Sequence, residues 1–415
     1  MAVPENLLPT YNEKILRGMR AERTVKRITF NPAEASPGET LYVSVPKLKE
    51  NEVLVPGSLS LRFEIDLSGG HANNFLVQNV TRALVDKMVV KYGDTPLEDT
   101  IGYDLFKIFQ DLFLSQEKRD NMYLQGIQSE DLCKIRSGAG DKKTSGVAAE
   151  NKLNSIYGAK YQIKLDHQIL TDHGIFYPQA LYSDLVFEIT LAQAAQVVKG
   201  SDATKLEYKL KKIHLQYEMI RSKTLADEAE RVLNSGKEFA YDHVIRFKVV
   251  PIKKDTEKRI NININGQKKS LKAILLLFID GYTGGRRDSE KYVFPDLTKV
   301  SVTINGSPSM IYNSGIEDDM WEEASRFFVE EKNKTENMTS KKFYTENKFG
   351  LLIDMRSFAS QALHGSGTRI VNSTDGVQLE IERNAKGSGV VNCHVFVISD
   401  AQFNIMGRQL QSVQV

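Results

Sequence analysis

Cysteine is nearly absent: Cys133 and Cys393 are the only two in 415 residues, far apart in the chain. Two thiols make no disulfide framework, and neither has the close neighbours that a metal site needs. A charge excess of one sign is missing too. Basic side chains number 55 against 53 acidic ones, a net of +2, so bulk charge announces no nucleic-acid partner. No apolar run comes near the roughly 18 residues of a membrane helix. The longest, "AILLLFI" from Ala273 to Ile279, suits a buried strand. The first residues, "MAVPENLLPTYNEK", lack a basic stretch followed by an apolar one, so no secretory leader is expected and folding in a reducing, intracellular compartment is. The sequons beginning at Asn79, Asn333, Asn337 and Asn372 are then expected to stay bare.

Catalytic patterns are also scarce. "RSGAGDKKTSG", from Arg136 to Gly146, has the glycines and lysines of a phosphate-binding loop. Such a loop needs Gly directly before the Lys-Ser/Thr pair, so that bare backbone can approach phosphate. Asp141 and Lys142 stand before Lys143 instead, and neither a buried strand before nor an apolar helix after frames the stretch. It reads as a surface insertion. Histidines occur at 71, 167, 173, 214, 243, 364 and 394. "LDHQILTDHGIF" pairs Asp166 with His167 and Asp172 with His173, but Leu170 and Gly174 point to a turn. No His-x-His pair is present, and His214 and His394 have no evident triad partners. Glu317, Asp318 and Asp319 stand at a helix start, where capping explains them. No catalytic, cofactor-binding or metal-binding residue is therefore assigned, no cofactor is implied, and the chain is not read as an enzyme.

Strand patterns dominate what is there. In "SLSLRFEIDL", Leu59, Leu61, Phe63, Ile65 and Leu67 alternate with polar residues, which puts one face in a core. "DLVFEITLA" repeats the alternation through Leu185, Phe187, Ile189 and Leu191. In "LEYKLKKIHLQYEM" the phase changes at Lys211-Lys212, the mark of a β-bulge. "RINININGQKKSLKAILLLF" alternates up to Asn265-Gly266 and resumes at Leu271, which predicts a hairpin. Helical patterns are few: about 103–114, 222–234 and 317–331. A parallel α/β sheet would need a helix after nearly every strand, so the architecture is mainly β.

The chain is also written twice. "VVKYGDTPL" (Val89 to Leu97) lines up with "VTINGSPSM" (Val302 to Met310), each a strand entering a Gly turn. A helix follows each. Leu105, Phe106, Phe109, Leu112 and Phe113 form the first apolar stripe, and Met320, Trp321, Ala324, Phe327 and Phe328 form the second. Asp104 and Asp319 precede them, suited to helix N-termini. Two similar β-rich domains in tandem follow, joined by the charged helix "RSKTLADEAERVLNSGK". Ahead of both, Lys14, Arg17, Arg20, Arg23 and Lys26 recur every third residue beside Arg27, a basic stripe if the arm is helical. "KKDTEKR" (Lys253 to Arg259) reads as a solvated loop.

With "VPGSLSLRFEIDL", "NVTRALVDKMVVKYGDTPLEDT", "YDLFKIFQDLFLS", "DHQILTDHGIFYPQALYSDLVFEITLA", "FPDLTKVSVTING" and "GLLIDMRS", the chain resembles the double jelly-roll major capsid proteins of large DNA viruses. The match is nearest to the virus-like Polinton/Maverick elements and the adintoviruses. The resemblance runs from about residue 31 to 406. It implies two tandem eight-stranded antiparallel jelly-roll β-sandwiches with short helices in loops. The domains become a basic arm over 1–30, a first jelly roll over 31–220, a connecting helix over 221–237, a second jelly roll over 238–406 and a tail over 407–415. It further implies homotrimers of pseudo-hexagonal outline that tile an icosahedral shell with neighbouring capsomers, penton and minor capsid proteins. The arm would face membrane or genome inside, and the protein would be made in host cytoplasm, assembled in the nucleus and carried in the virion. A carbohydrate-binding jelly roll is the alternative, and it calls for an exposed Trp or Tyr cluster.

Overall fold

The computed structural model describes residues 21–139, 148–174, 176–200, 205–281, 286–309, 320–329, 337–356, 367–371 and 376–415. The first set of eight sandwich strands is β1 (Glu22–Thr29), β2 (Thr40–Ser44), β3 (Ser60–Asp66), β4 (Val85–Tyr92), β5 (Thr95–Ile101), β6 (Lys160–Lys164), β7 (Leu185–Leu191) and β8 (Lys209–Arg221). They form two sheets, in the orders β1-β8-β3-β6 and β2-β7-β4-β5. The second set is β9 (Lys237–Lys253), β10 (Arg259–Ile264), β11 (Lys268–Asp280), β12 (Leu297–Ile304), β13 (Ser307–Pro308), β14 (Gly350–Asp354), β15 (Val377–Arg383) and β16 (Val390–Met406). Its orders are β9-β16-β11-β14 and β10-β15-β12-β13. Adding eight to every label of the first set reproduces the second. Each is the crossing arrangement of a jelly roll, so the fold is a mainly β double jelly roll.

Alternation fixes the faces. On β3 and β7 every second side chain is buried, including Leu61, Phe63, Phe187 and Ile189. The bulge in β8 lies where the phase changes: Lys211 faces Glu64, His214 faces Arg62, and one residue is extra. Lys212 there has φ of 55°. The apolar run Ala273 to Phe278 is the centre of β11, completely buried between β16 and β14, as a strand covered on both faces must be.

Two local expectations are corrected. Asn265-Gly266 makes no hairpin. β10 pairs with β15, whereas β11 pairs with β16 and β14, so the chain crosses from one sheet to the other at this turn. The basic arm is not helical over 22–29: these residues are β1, in register with β8 from Glu22 opposite Arg221 to Thr29 opposite His214. Lys14, Arg17 and Arg20 lie outside the described residues. The segment 407–415, expected as a tail, contains a further strand, β17 (Gln409–Gln414), paired with β16.

The chain divides into two compact units. One holds Met1–Asp99, Tyr123–Tyr241 and Ala401–Gln414, and the other holds Thr100–Met122, Asp242–Asp400 and Val415. This departs from a linear division because helix α1 (Tyr103–Asp111), encoded in the first half, counts with the second. The repeat explains its place. Phe106, Phe109 and Phe113 all pack on Phe328 of helix α4 (Met320–Phe328), with ring centroids 6.3, 5.7 and 5.3 Å apart. The first stripe thus packs on the last residue of the second, each aromatic pair adding about 0.5–1.5 kcal/mol beyond area burial. In sequence, helix α2 (Glu130–Arg136) and the predicted connector, helix α3 (Lys223–Ser235), fall between these two helices. The hairpins before the stripes also match, turning at Gly93 and at Asn305-Gly306, all with positive φ.

Candidate assembly surface

The residues with apparent chemistry are occupied by structural work. Arg136, which opens the glycine-rich stretch, is buried at the end of α2. Its guanidinium donates to the carbonyls of Tyr123, Gly158 and Lys160 at 2.8, 2.9 and 2.8 Å, and to Gln128 Oε1 at 2.6 Å. It also stacks 4.0 Å from the Tyr161 ring centroid. Burial lowers the Arg136 pKa and pushes the Tyr161 phenol up to about 12. Four of its five N–H donors are thereby committed to protein acceptors. Residues 140–147, with Asp141, Lys142 and Lys143, lie outside the described residues.

The histidine-acid pairs come apart in space. Asp166 takes a two-pronged contact from Arg82 at 3.2 and 2.6 Å. His167 caps a short helix, its Nδ1 accepting from the Ile169 amide at 3.2 Å. That leaves the proton on Nε2, which donates to Glu98 at 2.5 Å. His173 Nε2 donates to the Ala240 carbonyl at 2.6 Å. Cys393 is fully buried, and burial raises its thiol pKa far above the usual range. Burial, aided by Arg246 and Arg287, lowers His394 to about 4. His214 Nδ1 bonds the Lys212 carbonyl. Among the described residues no His, Cys, Asp and Glu side chains gather as metal ligands. Glu317, Asp318 and Asp319 lie outside them. Trp321 is half-buried, while Tyr42 and Tyr182 are exposed. In "KKDTEKR", Lys254 pairs with Asp280 at 2.5 Å and Arg259 with Glu382 at 3.3 Å. Asn79 of the first sequon is buried, closed to a glycan in the folded chain.

What remains open is an edge. β1 is the outermost strand of its sheet, and all its residues but half-buried Thr24 are exposed. Neighbouring positions show why. Ile163, Leu61, Leu215 and Ile28 form one row across β6, β3, β8 and β1. The first three are at most 5% exposed, but Ile28 is 44% exposed: the core row runs out of cover at β1. On the other face Val25 is 50% exposed, beside Glu218, which holds Arg23. Ordering each residue costs roughly 1–2 kcal/mol, and each backbone hydrogen bond returns about 0.5–1.5. With almost no burial of its own, β1 is held near balance. The sequence signal was present in Val25 and Ile28, but their neighbours Arg23, Lys26 and Arg27 drew the reading toward a basic arm.

No family model matches the sequence, and no curated protein matches it. Solved structures do match the fold. PBCV-1 VP54, in a crystal structure fitted into a reconstruction of the virophage Sputnik, aligns with TM-score 0.58 at 10% identity, over 95% of this chain and 97% of that one. The Faustovirus major capsid protein aligns with TM-score 0.58 at 8% identity, over 94% and 91%. The mavirus major capsid protein aligns with TM-score 0.53 at 9% identity, over 94% and 89%. At such identities the likeness speaks for the fold, over nearly the full length of each chain. Strand order and end-to-end superposition together establish this protein as a double jelly roll similar to those viral capsid proteins.

Proposed function

We propose that the chain is a major capsid protein of a DNA virus or virus-like transposon, with Polinton/Maverick elements and adintoviruses as its setting. It would form homotrimeric, pseudo-hexagonal capsomers that tile an icosahedral shell alongside penton and minor capsid proteins. The observation that carries this is the same eight-strand order written twice in one chain. Two like bodies per chain give six similar bodies from three chains, and cyclic symmetry closes such a ring. Similar proteins being capsid proteins supports the reading. The role is structural, in the virion, with no reaction assigned. The sheet edge at β1 is offered to a second copy of the chain, and residues 1–20 serve inside the shell toward membrane or genome.

Sedimentation and electron microscopy of the purified chain test this. Species near three times the 46.8 kDa chain mass, or closed shells, are expected. A stable monomer that binds glycans through Tyr42 or Tyr182 would replace the proposal with the carbohydrate-binding reading.

A further inference from the structure

Two Asn-Gly dipeptides occur in the chain, Asn265-Gly266 and Asn305-Gly306. In both, no side chain on the second residue hinders its amide nitrogen from reaching the asparagine side chain. By sequence they are equally reactive. The fold treats them differently.

Asn305 is held from three sides. Its Nδ2 donates to the Arg369 carbonyl at 3.1 Å, its Oδ1 accepts from the Val371 amide at 3.2 Å, and its backbone amide donates to the Gly376 carbonyl at 3.0 Å. The side chain cannot swing toward Gly306 without breaking the first two bonds. Asn265 sits on the turn between β10 and β11, exposed and outside both strands. Its side chain makes no hydrogen bond among the described residues. The following Gly266 has φ of 114°, with open space where a Cβ would stand.

We infer that Asn265 is a site of spontaneous deamidation through a succinimide, from which Asn305 is protected by its hydrogen bonds. The Gly266 amide nitrogen gives its proton to solvent base and attacks Asn265 Cγ. The Cγ–Nδ2 bond breaks, and ammonia leaves with a proton from solvent. Water then adds to either carbonyl of the ring and opens it to aspartate or isoaspartate. No oxidant or reductant enters. The product places a carboxylate at the sheet-to-sheet crossover beside Lys268 and Lys269. The inference stands apart from the capsid reading, since it rests on two turns within one sandwich.

The test is incubation of the full chain in mildly alkaline buffer, with peptide mapping by mass spectrometry and isoaspartate detection. Native protein should deamidate at Asn265 about tenfold or more faster than at Asn305, because two hydrogen bonds must first open at Asn305. In chaotrope the two rates should converge. Gly266→Ala should slow the reaction at Asn265 and leave Asn305 unaltered. Equal native rates, a faster Asn305, or a difference that persists in the unfolded chain would each overturn the inference.

Discussion

Arg287 donates to Asp104 at 2.5 Å with both side chains buried, 5% and 3% exposed, although 183 positions separate them in sequence. Asp104 lies in the first turn of α1, where a carboxylate suits the helix dipole. Its stronger commitment is to a guanidinium from the other half of the chain. The pair ties the inserted helix to the compact unit in which it is counted. Asp104→Ala removes the carboxylate that faces a buried guanidinium, so a loss of about 3–5 kcal/mol is expected. Asp104→Leu with Arg287→Met should lose much less. Chemical denaturation of both variants and the parent checks the ordering.

Arg136 gives a prediction of a different kind. Its planar fork meets four acceptors and a tyrosine face. A lysine ammonium offers neither the fork nor the stacking surface. Arg136→Ala should cost about 3 kcal/mol, and Arg136→Lys should recover little of it. Thermal melts of the three proteins decide.

His394 is expected to make the fold acid-sensitive. Burial, with help from Arg246 and Arg287, lowers its pKa from 6.5 to about 4. Above 6.5 the ring is neutral in both folded and unfolded chains. Below that, the unfolded chain takes a proton that the folded chain refuses, so stability falls as pH drops toward 4, by at most about 3 kcal/mol. His394→Gln should flatten this part of the profile of stability against pH. An unchanged slope between 6.5 and 4 would assign the acid sensitivity to other groups.

At the sheet edge, Val25 and Ile28 are exposed on opposite faces of β1. Val25→Ser with Ile28→Asp should leave the melting temperature of the isolated chain within a few degrees, since little burial is lost. Under the capsid reading it should weaken self-association by about tenfold or more. Sedimentation across a concentration series reads this. Association equal to the parent's would remove β1 from the contact.

Deleting residues 1–20 separates the arm from the strand that follows it. Under the capsid reading, trimers are expected to persist and closed shells to be lost. Loss of the trimer would refute the division of roles between arm and sandwich. Native mass spectrometry and electron microscopy of the same preparation give both readouts.

The amino-acid sequence by itself determined which residues alternate and therefore which face of each strand is buried. It marked the bulge at Lys211-Lys212, a helix within 221–237 and the apolar stripe in each half of the repeat. These are local properties, set by side-chain period and turn chemistry within a few residues. Partner choice was decided only by the tertiary structure. Asn265-Gly266 has the chemistry of a hairpin, yet β10 pairs with β15, and β11 with β14 and β16, rather than with each other. The stripe spacing in α1 gave its apolar face but not Phe328 opposite it, and the triplet spacing of basic residues hid a strand whose hydrogen bonds go to β8. A local pattern records how much cover a segment needs. Which distant surface supplies it depends on the packing of the whole chain, and at β1 the described residues supply almost none.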